Sequence, residues 1–116
     1  MHEMSLAVNI LKIAAKELSN RGIEKMKMRA LTLSVGKMTQ VVPESLKYAL
    51  EILGKSEGFD NVSYIIMDCP LEVECRDCGF NRKLSEVEMA CGSCGSFNLK
   101  MTGGRELKID SIDVDD

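Results

Sequence analysis

Apolar residues recur at helical spacing in two stretches of the chain that polar segments separate. Residues 5–18 predict an amphipathic helix, and the following SNRG predicts that it ends at a cap formed by Gly22. Residues 42–53 predict a second helix, because Pro43 suits a first helical turn and Glu44 favours its positive end. The expected buried positions are Leu6, Ile10, Ile13 and Ala14, flanked by Leu11 and Leu18, in the first helix and Leu46, Ala49, Leu50 and Leu53 in the second.

The remaining apolar stretches alternate as strands do. Residues 25–35 predict a strand in which Met26 and Met28 share one face, whereas Leu31, Leu33 and Val35 share the other. Either a bulge shifts the phase of this strand or both of its faces are partly covered. Residues 62–74 predict one long strand, whose Pro70 requires an edge position or a bulge. Two short strands are expected around Gly103 and Gly104.

These elements predict an α/β (α+β) fold, in which two helices pack on a small, mostly antiparallel or mixed three-stranded sheet. The last strand is expected to return to this sheet, so that the cysteine-rich stretch is an inserted, zinc-ribbon-like module of four cysteines. The predicted domains are residues 1–72 with 102–116, which form the α/β domain, and residues 73–101, which form the cysteine module.

Size and charge narrow the range of functions. The chain has 116 residues and a net charge of −3, which argues against a nucleic-acid surface. No apolar run reaches the roughly 18 residues that span a bilayer. The apolar run at residues 6–15 lacks a basic leader and a small-residue cleavage site, so we expect no signal peptide and a cytoplasmic protein. In that compartment, five cysteines indicate metal binding or redox chemistry instead of disulfides.

Four of the cysteines form two Cys-x-x-Cys pairs with twelve residues between them, and a glycine follows each pair. Such pairs bring four thiolates to one tetrahedral ion, in a site that is closed to substrate and therefore structural. We predict a zinc site, although spacing alone also allows iron, and a redox dithiol would need only one pair. The predicted ligands are Cys75, Cys78, Cys91 and Cys94, whereas Cys69 is expected in the core.

The segment between the pairs mixes Arg82 and Lys83 with Glu86 and Glu88 around one aromatic residue, Phe80. This mixed surface favours protein contact over nucleic-acid binding. No second histidine, phosphate-binding glycine loop or nucleophile motif is present in the sequence, so we do not expect an enzyme. Packing is the expected role of the methionines in strand patterns, which are Met26, Met28, Met67 and Met101.

Three stretches of the chain, taken in order, resemble the HypA/HybF family of nickel-incorporation proteins. They are MHEMSL, VVPESLKYALEIL and CGSCGSFNL…GRELKIDSIDV. The resemblance covers nearly the whole chain, and the Met-His-Glu start is its most specific element. It implies a nickel metallochaperone that acts in the maturation of [NiFe]-hydrogenase and, in some organisms, urease. Two segments depart from the family pattern. One is CGSC, where the family commonly has proline after the first cysteine, and the other is MTQVV, where it commonly has a turn with shorter side chains.

The resemblance implies that nickel is held at the N-terminus by Met1, His2 and Glu3. The terminal amine, the amide and imidazole nitrogens of His2 and the amide nitrogen of Glu3 can form a planar donor set, which suits Ni(II) or Cu(II). The Glu3 carboxylate is expected to balance charge or orient the imidazole. The single histidine of the chain is therefore predicted to hold nickel.

The resemblance also implies two protein partners, a nickel-handling GTPase accessory protein and the hydrogenase large-subunit precursor. From the net charge and the lack of a membrane-length apolar run we expect no nucleic-acid or membrane partner, and we expect a monomer or a weak homodimer. The first helix is a plausible docking face, although core packing accounts better for its apolar stripe. Two other functions stay open, a zinc-ribbon adaptor that binds nucleic acid or a large protein complex, and a small electron carrier with iron in the cysteine site.

Overall fold

A computed structural model describes residues 3–84 and 88–115 of the chain. These residues form two helices, two single 3-10 turns at Lys25–Lys27 and Lys37–Thr39, and six strands. No helix in the described ranges is both long and apolar enough to cross a membrane. The elements in chain order are α1 (Glu3–Asn20), β1 (Met28–Gly36), α2 (Pro43–Ser56), β2 (Ser63–Cys69), β3 (Leu71–Cys75), β4 (Asn81–Leu84), β5 (Leu99–Gly103) and β6 (Leu107–Val114).

The first sheet has the strand order β2-β1-β6. Strand β1 pairs in parallel with β2, after a crossover through α2, and antiparallel with β6. The mixed three-stranded sheet and the return of the last strand are therefore confirmed. That the chain divides into separate domains, residues 1–72 with 102–116 and residues 73–101, stays a prediction.

The ends of the helices follow from a few residues. After α1, the N–H of Gly22 donates to the Ser19 carbonyl at 3.0 Å and the N–H of Ile23 to the Leu18 carbonyl at 2.9 Å. With a φ of 68° at Gly22, this is a Schellman cap, as predicted. Helix α2 starts at Pro43 but continues to Ser56, beyond the predicted residue 53. Gly54 lies within this helix at a position where a side chain would meet the Tyr64 hydroxyl.

The helices bury one face against the first sheet. In α1, Ala7 and Ala14 are fully buried, whereas Ile13 is 58% exposed, so the prediction that Ile13 lies in the core is wrong. The buried stripe is rotated toward the two alanines, whose small side chains let the backbone approach its neighbours closely. The core consists of Ala7, Ile10, Leu11, Ala14, Leu18, Met28, Leu31, Leu33, Val35, Val41, Leu46, Ala49, Leu50, Phe59 and Tyr64, with Leu6 and Leu53 partly buried beside it.

The phase of β1 changes at its start. Its pairing with β6 shifts between Met28 and Ala30, and both Met28 and Leu31 are buried, which supports the bulge alternative. Met26 does not share a face with Met28, because it lies in the preceding 3-10 turn and is 60% exposed. Met67 is also exposed, because it lies on the opposite face of β2 from buried Tyr64. The packing prediction is therefore wrong for Met26 and Met67.

The stretch 62–74 is not one strand. It breaks at Pro70, which has no N–H for a sheet bond, into β2 of the first sheet and β3 of a second sheet. The second sheet is antiparallel, with the order β4-β3-β5, and its buried cluster contains only Leu71, Val73 and Leu84. Cys69, at the end of edge strand β2, is half-buried and not a core residue as predicted.

The two sheets meet where the chain passes between them. The N–H of Gly36 donates to the Glu106 carbonyl at 2.6 Å, and the N–H of Met38 donates to the Gly104 carbonyl at 2.7 Å. A side chain at Gly36 would collide with the backbone of Gly104. The end of β1 is therefore bonded directly to the segment that leads from β5 to β6.

Candidate metal centres

The two Cys-x-x-Cys pairs form turns of the same geometry. The N–H of Gly79 donates to the Cys75 carbonyl at 2.8 Å, and the N–H of Gly95 donates to the Cys91 carbonyl at 2.8 Å. Both glycines have positive φ, 76° and 77°, a conformation that side chains oppose. The glycine after each pair thus allows the chain to fold its two thiols toward one point.

The structure brings all four predicted ligands together, with every sulfur within 4.8 Å of the others. The Sγ atoms of Cys75 and Cys94 are 3.6 Å apart, and those of Cys78 and Cys91 are 3.7 Å apart. A tetrahedral zinc ion with Zn–S bonds of about 2.3 Å separates its sulfurs by about 3.8 Å. The cluster therefore has the dimensions of a four-thiolate site for one ion.

Backbone donors favour the thiolate form of Cys91, the first cysteine of the second pair. The N–H groups of Ser93 and Cys94 lie 3.4 and 3.5 Å from the Cys91 sulfur. The hydrogen bonds from Cys94 and Ser93 lower the pKa of Cys91 to about 6. A thiolate is the form that binds metal, so the donor set fits a divalent cation that accepts sulfur.

A polar contact not predicted from the sequence joins the two turns. The Asp77 carboxylate accepts hydrogen bonds from the Ser96 hydroxyl and from Nδ2 of Asn98, the latter at 3.3 Å. These bonds lower the pKa of Asp77, so the carboxylate stays charged. Asp77 lies inside the first pair, and Ser96 and Asn98 follow the second. The pairing holds the two halves of the metal site in register.

The segment between the pairs carries the mixed charges that the sequence indicated. Arg82 forms an ion pair with Glu88 at 3.1 Å, and its guanidinium also lies against Gly92. A side chain at Gly92 would require the flexible Arg82 guanidinium to shift. Glu86 lies outside the described residues. Phe80 is 46% exposed, and Phe97, which follows the second pair, is 82% exposed.

At the N-terminus, Met1 and His2 lie outside the described residues. Glu3 is the first residue of α1, and its carboxylate accepts a hydrogen bond from the Val42 N–H at 3.4 Å. Val42 immediately precedes α2, which has no side-chain cap of its own. Glu3 thus joins the beginnings of the two helices, a contact that the sequence did not reveal.

Comparison with known proteins decides the family. Residues 1–114 match the family model described as hydrogenase/urease nickel incorporation, metallochaperone, HypA. The chain belongs to the HypA family. The match to the HypA family includes the Met-His-Glu start and both cysteine pairs, since it spans nearly the entire sequence.

Relatives in the HypA family match this chain over most of their length. The hydrogenase maturation factor HypA of Desulfatibacillum aliphaticivorans is 33% identical, over 100% of this chain and 88% of its own. The protein of the same name from Aeromonas hydrophila is 32% identical, over 98% of this chain and 99% of its own. These relatives are therefore named for a role in the maturation of hydrogenase.

Solved HypA structures share the fold. The solution structure of the Ni metallochaperone HypA from Helicobacter pylori superposes with a TM-score of 0.63 at 22% identity, covering 98% of this chain and 97% of its own. A second HypA solution structure gives a TM-score of 0.69 at 21% identity, with 98% and 96% covered. The arrangement of two helices and two three-stranded sheets is thus that of known HypA proteins.

Proposed function

We propose that the protein is a nickel metallochaperone that binds Ni(II) at its N-terminus and delivers it during maturation of [NiFe]-hydrogenase, with urease as a second possible recipient. The observation that carries the proposal is the family match over residues 1–114, which starts at the Met-His-Glu sequence. The printed role of the relatives, hydrogenase maturation, supports hydrogenase as the recipient.

The proposed nickel ligands are nitrogen atoms of the first three residues. The terminal amine of Met1, the amide and imidazole of His2 and the amide of Glu3 would surround the cargo ion, with Met1 retained. Because the Glu3 carboxylate bonds to Val42, the start of α1 is fixed next to the start of α2. The ligand nitrogens must lose protons to bind, so nickel affinity should fall as the pH drops through the titration of imidazole and amine.

The four-cysteine cluster is the proposed zinc site, held by Cys75, Cys78, Cys91 and Cys94. Zinc bound by four thiolates keeps no open position for cargo, so its role is to hold the second sheet together. The exposed ion-paired segment around Arg82 and Glu88 is mixed in charge, which supports protein contact over nucleic-acid binding. The proposed partners are a nickel-handling GTPase accessory protein and the hydrogenase large-subunit precursor, in the cytoplasm, and no catalytic role is proposed.

Nickel titration by calorimetry of the untagged, zinc-loaded protein tests this proposal. One variant carries an extra glycine before Met1, which retains every side chain but moves the amine away from His2. A second is His2→Ala, and the matched control is Met4→Ala, at an exposed residue in the first turn of α1.

We expect one nickel per chain in the wild type and the control, and greatly weakened binding in the other two. Equal binding by the wild type and the glycine-extended variant would reduce His2 to a lone ligand. The zinc-ribbon adaptor would then be the better account of the chain.

A further inference from the structure

Arg82 connects the second sheet to the second cysteine pair. It belongs to β4 and lies directly opposite Val73 of β3, so the two side chains leave the sheet on the same face. The Arg82 guanidinium lies against Gly92, which is inside the second Cys-x-x-Cys pair. A strand of the sheet thus holds a positive charge against the turn that carries Cys91 and Cys94.

The guanidinium occupies the space that a side chain at position 92 would need. A Cβ added to Gly92 would collide with Nη1 of Arg82 and lie 3.3 Å from its Cζ, and its three nearest neighbours are all Arg82 atoms. Gly79 and Gly95 have positive φ, whereas Gly92 does not, so the backbone at Gly92 does not itself require glycine. The missing side chain is therefore what leaves room for the guanidinium.

An ion pair fixes the direction of the Arg82 side chain. Its Nη2 lies 3.1 Å from Oε1 of Glu88, whereas Nη1 is the atom closest to Gly92. The next residue of β4, Lys83, lies opposite Glu72 and therefore points to the other face of the sheet. Of the two cations of β4, Arg82 is the one directed to the cysteines.

The proposed zinc site has a charge that a nearby cation can balance. Four thiolates and one divalent ion leave roughly two net negative charges, and Cys75 and Cys91 are buried. Charge that is partly removed from water interacts strongly with an opposite charge close by. The N–H groups of Ser93 and Cys94 point to the Cys91 sulfur, but a peptide dipole has no net charge. A guanidinium against the same turn adds a full positive charge.

We propose that Arg82, seated against Gly92, stabilises the charged four-thiolate site and slows the release of zinc. This inference rests on the proposed zinc site and adds a residue that determines how firmly the metal is retained. Arg82 provides no ligand atom, so its effect is electrostatic. Because the guanidinium reaches this position only when residue 92 has no side chain, Arg82 and Gly92 should act as one unit.

The alternative is a structural role in which the stem of Arg82 covers the apolar face of the sheet. The two roles predict different results for two substitutions. Arg82→Met retains an apolar stem without a charge, whereas Arg82→Lys retains the charge without the planar guanidinium. An electrostatic role is therefore lost in the first variant and partly kept in the second.

The rate at which the full-length, zinc-loaded chain releases zinc to an excess of a chromophoric chelator tests the proposal. The variants are Arg82→Met, Arg82→Lys, Gly92→Ala, and the double variant that combines Arg82→Met with Gly92→Ala. The control is Lys83→Met, which removes the same charge from the other face of β4. Metal analysis gives the zinc content, and the absorption spectrum of the cobalt-substituted protein shows whether four thiolates still bind the ion.

We expect Arg82→Met to release zinc about tenfold faster than the wild type, with an unchanged cobalt spectrum. Arg82→Lys should lie between these two rates, and Lys83→Met should release zinc at the wild-type rate. Gly92→Ala should also speed release, because its methyl group displaces the guanidinium. In the double variant, Gly92→Ala should add nothing to the effect of Arg82→Met.

Four results would overturn the role of Arg82. They are a wild-type rate or a changed cobalt spectrum in Arg82→Met, an equal effect of Lys83→Met, equal rates for Arg82→Lys and Arg82→Met, and a Gly92→Ala effect that persists in full in the double variant. A wild type that holds less than one zinc per chain, or whose cobalt form lacks four thiolates, would instead overturn the proposed zinc site and this inference with it.

Discussion

The two three-stranded sheets of this protein have very different interiors. The first sheet and its two helices bury fifteen residues in one cluster, including fully buried Leu31, Leu46 and Leu50. The second sheet buries three, Leu71, Val73 and Leu84, with Met101 partly buried beside them. Domains too small to build an adequate core are commonly held by a bound metal instead. The difference indicates that hydrophobic burial stabilises one region and metal coordination the other.

The exposed residues support this contrast. The large apolar side chains near the cysteines, Phe80, Met89 and Phe97, are between 46% and 82% exposed and add little to the interior. The sulfur cluster, in contrast, has two buried members, Cys75 and Cys91. The second region therefore depends on four thiolates where the first depends on fifteen packed side chains.

The largest expected effect comes from breaking the metal site. In Cys75→Ser, or after zinc is removed with a chelator, we expect residues 71–103 to lose their fold while the first sheet persists. The folding free energy that this region loses is on the order of 10 kcal/mol, the scale of zinc binding to small structural sites. Amide hydrogen exchange should show protection disappearing in β3, β4 and β5 only. The control is Cys69→Ser, outside the cluster, which should keep this protection. Protection retained in the zinc-free second sheet would show that metal coordination does not stabilise that sheet.

A core substitution should affect the other region. Leu50→Ala removes a fully buried side chain of α2, and we expect it to lower the free energy of unfolding by about 2–5 kcal/mol. Zinc should remain bound at one ion per chain. Denaturant unfolding measures the first quantity and metal analysis the second. Ile52→Ala, on the same helix but 44% exposed, should cost much less, and loss of zinc from Leu50→Ala would mean that the regions are not independent.

A third substitution should leave stability unchanged or raise it. The Tyr64 hydroxyl is buried and has no hydrogen-bond partner in the described part of the chain, so Tyr64→Phe should raise the free energy of unfolding by up to about 1 kcal/mol. Burial, with a contribution from Glu51, raises the pKa of Tyr64 to about 12.

The unfolded chain therefore releases this proton first, and the wild type loses stability relative to the variant as the pH rises from about 10 toward 12. Unfolding curves at neutral and alkaline pH measure the difference. Tyr48→Phe, at a residue that is 66% exposed, should show no such pH dependence.

A fourth effect, of similar size, is expected where the regions join. The Glu106 carboxylate accepts the N–H of Gly104 at 2.6 Å, and the hydrogen bonds from its own N–H and that of Gly104 lower its pKa. Its contribution is therefore present at neutral pH and disappears as the pH falls through the lowered folded-state pKa.

Glu106→Gln should lower the free energy of unfolding by roughly 1 kcal/mol at pH 7. The difference from the wild type should vanish in acid, whereas exposed Glu24→Gln should have no effect. A difference that persists at low pH would show that the carboxylate charge is not its cause.

Short sequence patterns predicted the features that neighbouring residues determine. The Gly22 cap, the first turn of α2 at Pro43 and the convergence of the four cysteines each follow from short spacings and backbone geometry. Pro70 shows the limit of such patterns. A strand that continues and a chain that passes to another sheet are both extended, so the break between β2 and β3 was not evident from alternation alone.

Contacts between distant segments were not predictable for the same reason. The bonds from Val42 to Glu3 and from Ser96 and Asn98 to Asp77 join residues that only the complete fold brings together. The exposure of Ile13 depends on how closely Ala7 and Ala14 approach their neighbours, and a count of apolar positions does not contain that information.

We propose that two metals occupy two chemically different sites of this protein. X-ray absorption at both the nickel and zinc edges, on protein loaded with one equivalent of each metal, tests it most directly. The account predicts zinc with four sulfur neighbours at about 2.3 Å and nickel with nitrogen or oxygen neighbours only. Sulfur in the nickel shell would show that nickel enters the cysteine cluster, and fewer than four sulfurs around zinc would show that the four thiolates do not hold zinc together. Either result would contradict the two-site proposal.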